Sequence, residues 1–551
     1  MASLQSYSVH GNRYWRIVES FRDKRGRPRI RVVRHLGTAQ KLLECLSEAP
    51  GRPLYAEERD FGATAALWDT AQQLDIVRTI DTHARKRNQG PSVGEYLLLA
   101  ALNRALAPAS KRKLGVWYRN TILVRLLPLR SAALRSQRFW DHMNYLDEST
   151  LQRIENDITR RLVEEWKVNL QTLFYDTTNF DTFLSSENPA RLAQRGHAKS
   201  KRTDLRIVGL ALLVSWDFHI PLFSQIYEGN QNDSVTFSRV LDDLVTRYQM
   251  FREKCQSITL VFDKGNNSAD NFEDLDGSPY HFIGSLVPTQ HQDLLNIPLE
   301  QFRSLQDPRF AGVRVYRTQK EVFGEKRTIV ITRSRALLRG QIRRIRQHLA
   351  KKLRALRDLE KRISRSHEPG WKGKPYTPES IQKNLDTIIS GQYVADFPWG
   401  KMTRRVLGKR ILFTDRTDLT DEEIIFGYRG QHHVERAFRD MKDPCFISFS
   451  PPHRWTDHML RVHAFYCVLA LTLVSLLRRR VHQAGVQVTQ SRLVEQLKQI
   501  KQITNYNYYP AYNTDKPHLG GRPRAEHAMT HLDPQQERIF RALKLDRFLA
   551  S

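Results

Sequence analysis

Residues 172–180 read TLFYDTTNF, and residues 258–263 read ITLVFD. Each stretch is an apolar run of β-branched and aromatic residues that meets a charge, Asp176 in the first and Asp263 in the second. Such runs predict short buried strands ending at the carboxylate. A carboxylate there is costly unless it is exposed, paired or bound to a cation. If the two strands are neighbours in one sheet, their carboxylates converge and repel, and divalent cations relieve that repulsion. Either Asp alone also reads as an ordinary turn residue closing a strand; the weight lies in the combination.

Three further strands are predicted around these two: LRIVGLALLVSW at 205–216, IPLFSQIY at 220–227 and the stretch from His281 to Val287. Residues Ser234 to Tyr248 carry apolar positions at helical spacing. The order β-β-β-α-β predicts an antiparallel meander followed by a helical crossover onto the same sheet.

A third acidic residue stands far along the chain. Thr420-Asp421-Glu422-Glu423 has the form of a capping box, and the helix it starts is expected to run through Lys442. Tyr428, Glu435 and Lys442 recur every seven residues, so they share one stripe with about 20° of drift per step. Val434, Phe438 and Met441 form the neighbouring apolar stripe, on which Gly427 would allow close packing. Taken alone, the polar stripe also reads as a solvated face. His432-His433-Val434-Glu435 lacks the spacing of a zinc-protease helix, and there is no phosphate-binding loop for ATP.

The composition points to a polyanionic partner. Lys and Arg number 88 against 59 Asp and Glu, a net charge of +29, and the excess concentrates in Lys24–Arg34 and Arg335–Arg365. Four cysteines without a Cys-x-x-Cys pair argue against a disulfide framework or zinc site and fit a reducing cytosol. No charged segment followed by an apolar core opens the chain, and Val462–Leu477 is short for a membrane span, so a buried helix is expected there. Residues 13–37 predict a β-hairpin. Arg27 in its turn reads first as a solvated basic turn and second as a minor-groove hook of the Arg-Gly-Arg type, partly repeated at 521–523. Residues 62–166 are helical in pattern. Arg335–Arg365 predicts a long basic helix, followed by a second helix from Pro378. The segment from Asn505 onward reads as loosely ordered.

With these residues in view, the chain resembles the DDE transposases of bacterial insertion sequences, and most closely the group carrying a Tyr-(2)-Arg-(3)-Glu-(6)-Lys signature around its Glu. Tyr428, Glu435 and Lys442 occupy three of the four signature positions; Gln431 stands at the Arg position, with Arg429 or Arg436 as substitutes. LFYDTTNF, LVFDKGNNS and YEGNQNDS also look like that group, and the resemblance spans roughly residues 172–502. It implies an α/β fold: an RNase H-like mixed-sheet core with a large α+β insertion, a helical N-terminal domain and a helical C-terminal region. The corresponding segments are an N-terminal hairpin and basic segment (1–60), a helical and DNA-binding domain (61–168), the two parts of the core (169–290 and 420–502), the insertion (291–419) and a tail (503–551).

The resemblance further implies DNA cleavage at element ends and joining of the released 3′-hydroxyl to target DNA. Asp176, Asp263 and Glu435 would hold two Mg²⁺ or Mn²⁺ ions, with Asp176 shared by both. Tyr428, Gln431, Arg439 and Lys442 would contact DNA, and Trp399 would stack on a flipped base, although a packed loop Trp is the simpler reading. Expected partners are double-stranded DNA and a second subunit on paired ends, with no membrane and no nucleotide cofactor, in a cytoplasmic, nucleoid-associated setting. Two alternatives stand beside this reading: another RNase H-like nuclease or resolvase, and a domesticated DNA-binding protein without catalysis.

Overall fold

The computed structural model describes residues 2–23, 26–47, 52–84, 89–248, 258–389, 406–449, 456–508 and 523–549. Trp399, Arg25 and the partial motif at 521–522 lie outside them. The chain divides into two compact units: residues 1–66, 116–128 and 483–551 form one, and residues 67–115 and 129–482 form the other.

The first unit is built on two three-stranded antiparallel sheets. The predicted hairpin is present as Asn12–Arg22 and Pro28–Thr38, and a strand that the sequence reading missed, Ala2–Val9, pairs with the first of them. Arg27 is exposed in the connecting turn, where its N–H donates to the Asp23 carboxylate at 3.0 Å and Gly26 adopts φ +73°. The loosely ordered tail is a correction. Lys501–Tyr508 is the central strand of the second sheet, between Arg52–Asp60 and Pro523–Met529, and a capped helix follows at Pro534–Ala542. Its order depends on pairing with a strand more than 400 residues earlier, which no local pattern displays.

The second unit holds a nine-stranded mixed sheet. In chain order its strands are β1 (Thr172–Thr182), β2 (Arg206–Ser215), β3 (Pro221–Glu228), β4 (Thr259–Val261), β5 (His281–Ser285), β6 (Arg303–Ser304), β7 (Val313–Val322), β8 (Glu325–Ser334) and β9 (Lys409–Thr414). Their order across the sheet is β6-β7-β8-β9-β5-β4-β1-β2-β3. Only β1–β4 and β4–β5 are parallel. Every residue of β2 is buried, as expected for an apolar strand inside a sheet covered on both faces. β9 was not anticipated. It pairs with both β5 and β8, so the strands of the insertion continue the core sheet.

Five helices bear on the site. α1 (Arg335–Ser366) and α2 (Pro378–Ile389) are the predicted helical pair. α3 (Asp421–Arg429) and α4 (His432–Lys442) replace the single helix expected through Glu435. α5 (Asp457–Gln483) contains the apolar run Val462–Leu477; it is long and apolar enough to cross a membrane by composition, and here it is buried among the surrounding elements.

Candidate active site

The parallel register of β1 and β4 is the starting point. Phe174 lies beside Val261, and extending that register by two residues sets Asp176 level with Asp263, although β4 itself stops at Val261, two residues short of the expected end at Asp263. Neighbouring strands run about 4.8 Å apart, which brings the two carboxylates to one edge. One expectation needs correcting: β1 does not end at Asp176. It continues to Thr182 against β2, while its parallel neighbour β4 stops at Val261. The sheet therefore opens beside Asp176 because the partner strand ends, and the side chain is half-buried at that opening. Extending the β4–β5 register in the same way sets Asp263 level with Ser285.

α3 begins at a well-determined point. Thr420 and Glu423 form the predicted capping box, with Thr420 Oγ1 accepting from the Glu423 N–H at 3.2 Å and Glu423 Oε2 accepting from the Thr420 N–H at 2.8 Å. The fully buried Asp421 carboxylate accepts from Arg303 of β6 and from Arg317 of β7, the latter at 3.1 Å, so the insertion fixes the start of this helix. At the break between α3 and α4, packing demands a glycine. Gly430 sits so close to β1 that a Cβ there would lie 2.4 Å from Phe174 and 2.6 Å from Trp216. Gly427 packs as predicted, against Ile283.

The Tyr428 hydroxyl donates to Asp263 Oδ1 at 3.1 Å and accepts from the Ser285 hydroxyl at 2.8 Å, linking β5 to the segment just beyond β4. Burial, and then the Asp263 charge, push its pKa up to about 12, so it stays a donor through neutral pH. Glu435 is exposed one helix further on. It lines an open cleft together with Asp263, Ser285, Tyr428, Gln431 and Arg429. Lys264, Arg344 and Arg410 add positive charge to the same walls. All three were missed as site residues: Lys264 stood in the sequence only as the neighbour of Asp263, Arg344 is one cation among many on α1, and Arg410 lies on the unanticipated β9, 5.3 Å over the Tyr428 ring. Arg429 is the candidate substitute that reaches the cleft; Arg436 and Arg439 are exposed on α4 and do not line it.

At the far end of α4, Lys442 Nζ donates to Thr178 Oγ1 at 2.6 Å, close enough to Asp176 to feel its charge. Burial, followed by the neighbouring Lys199, lowers the Lys442 pKa. Between these ends, His433 Nδ1 meets His219 Nδ1 at 2.7 Å, which ties α4 to the β2–β3 turn. Burial holds both imidazoles neutral, at about 3 for His433 and about 2 for His219. Asp440 is raised to about 6, chiefly by burial.

Extending the β1–β4 register thus sets Asp176, on β1, level with Asp263 just beyond the end of β4, and Asp263 and Glu435 line one cleft. Asp176 does not line that cleft, and among the described residues no three His, Cys, Asp or Glu side chains lie close enough to share a cation.

Residues 170–450, just over half the chain, match the family model of the transposase DDE domain, and residues 7–53 match the IS1634 family transposase N-terminal domain. No curated protein matches. Among solved structures, the piggyBac transposase synaptic complex with hairpin DNA is similar at a TM-score of 0.36 and 10% identity, over 81% of this chain and 82% of that one. That likeness is too slight to support any inference. The extent of the DDE match, over the segment that carries Asp176, Asp263 and Glu435, establishes the family: the chain is a DDE transposase of the insertion-sequence type.

Proposed function

We propose that Asp176, Asp263 and Glu435 are the catalytic carboxylates, that the sheet order β3-β2-β1-β4-β5 is an RNase H-like core, and that the protein cuts element ends and joins them to target DNA. The observation that supports this reading is the β1–β4 register, which when extended levels Asp176 with Asp263 where β4 stops, together with the cleft that Asp263 and Glu435 line.

The donor set fits hard divalent cations such as Mg²⁺ or Mn²⁺: three carboxylates, without thiolate or imidazole among them. Asp176 would be the shared ligand, with Asp263 and Glu435 each taking one ion. Bound there, the ions would activate a water or 3′-hydroxyl and stabilise the leaving oxygen. Tyr428 would orient Asp263 through its hydroxyl. Lys264, Arg344, Arg410 and Arg429 would hold DNA phosphates along the cleft. Binding of double-stranded element ends, pairing of two subunits on them and residence at the nucleoid belong to the same proposal.

The test is cleavage of a labelled duplex carrying the terminal repeat, with Mg²⁺ or with EDTA. Nicking at the repeat end should require the metal and should disappear in Asp176→Ala, Asp263→Ala and Glu435→Ala, while DNA binding persists. Normal cleavage by any of the three removes that residue from the site. Tight binding without cleavage by the wild type as well would favour a silent DNA-binding protein.

A further inference from the structure

Two ammonium groups meet on β1 immediately beyond Asp176. Lys199 Nζ donates to the carbonyl of Thr177, and Lys442 Nζ donates to Thr178 Oγ1. They arrive from different elements: Lys442 ends α4, and Lys199 belongs to the connection between β1 and β2. That connection is stitched to β1. Lys199 N–H donates to Asn179 Oδ1 at 2.9 Å, Asn179 Nδ2 donates to the His197 carbonyl at 3.0 Å, and Ser200 Oγ donates to Asp181 Oδ1 at 2.8 Å. Lys199 is an exposed residue, and these three hydrogen bonds fix the backbone that carries it against β1.

Neither lysine lies within ion-pair distance of a carboxylate among the described residues, although Lys442 feels the charges of Asp176 and Asp181 from further off. Each ammonium carries three donors and spends one on β1, so several N–H groups are left for a ligand. Two cations held side by side, beside a site that acts on phosphodiesters, call for an anion with several acceptor oxygens. The family signature already puts Lys442 on DNA; we propose that Lys199 joins it, the two lysines seating one DNA phosphate on the Asp176 side of the site, next to the phosphate that is cut. This rests on the assignment of Asp176 to catalysis. Lys199 carries no recognised motif in the sequence; only its placement against β1 singles it out.

The experiment is a scan of the terminal-repeat duplex in which single phosphates near the cleavage point are replaced by neutral methylphosphonates. Binding is measured for the wild type, Lys199→Ala, Lys442→Ala, the double variant and Lys199→Arg. The wild type should lose affinity at one phosphate, and both single variants should become insensitive there. Each should lower the slope of log K against log salt by about 1. The double variant should match either single one, and Lys199→Arg should restore the sensitivity. If Lys199→Ala keeps the full wild-type pattern, or if the two losses simply add, the shared seat is overturned. Normal cleavage by Asp176→Ala would instead sink the catalytic assignment, while leaving this binding readout interpretable. Equal melting temperatures of Lys199→Ala and wild type separate lost contact from lost fold.

Discussion

At the scale of single residues, the site depends on groups that fix carboxylates rather than on the carboxylates alone. The Tyr428 hydroxyl is already committed to Asp263 and Ser285, where the sequence reading put it on DNA. A hydrogen bond to a charged group contributes about 1.5–3 kcal/mol. Tyr428→Phe should therefore slow cleavage at saturating DNA by roughly 10- to 100-fold, with binding changed little. Weakened binding at an unchanged cleavage rate would return Tyr428 to the role of a DNA contact. Arg317 and Arg303 act in a similar way at one remove: they neutralise the buried Asp421 and so set where α3 starts.

At the scale of elements, the join between α3 and α4 decides where Glu435 stands. Local propensity allowed one helix through 420–442; the aromatic rings of Phe174 and Trp216 require a residue without a Cβ at the join. Gly430→Ala should cost about 1–3 kcal/mol through overpacking, read as a fall in melting temperature. Cleavage should fall further than stability does, because displacing α4 moves Glu435 out of alignment. Gly340→Ala is the matched control. A Cβ there meets nothing within 4 Å, and an Ala inside α1 should be neutral or slightly stabilising. Equal effects at the two glycines would mean that the α3–α4 packing does not position Glu435.

At the scale of the molecule, the +29 charge has a local address. α1 spans 32 residues, about 48 Å at 1.5 Å per residue. Its first turns contribute Leu337, Gln341 and Arg344 to the cleft. Arg343, Arg346, Arg354 and Arg357 are exposed along it without ion-pair partners among the described residues. Replacing these four with Gln should reduce the salt slope of duplex binding by about 2–4, at roughly 0.9 per phosphate, while metal-dependent nicking of bound DNA continues. An unchanged slope would place the DNA path elsewhere and leave the half-buried Leu349, Leu356 and Ile363 stripe as a packing face.

Much of this was legible in the residues. The apolar runs that meet Asp176 and Asp263, the capping box at Thr420, the seven-residue spacing of Tyr428, Glu435 and Lys442, and the long basic helix all reflect short-range chemistry: strand pleat, helix period, end capping and charge. The sequence by itself determined that two strand carboxylates and a helical Glu belong to one basic, mixed α/β chain. Only the tertiary structure decided the rest, because it depends on pairing across hundreds of residues. It set the register that levels Asp176 with Asp263, and it brought in β9, which draws the insertion into the core sheet and delivers Arg410. It demanded a glycine at 430 through the rings of Phe174 on β1 and Trp216 just beyond β2, ordered the C-terminal strands against Arg52–Asp60, and brought Lys199 to Lys442. None of these contacts has a local periodicity to betray it; each exists because burial and hydrogen bonding are satisfied only once distant segments meet.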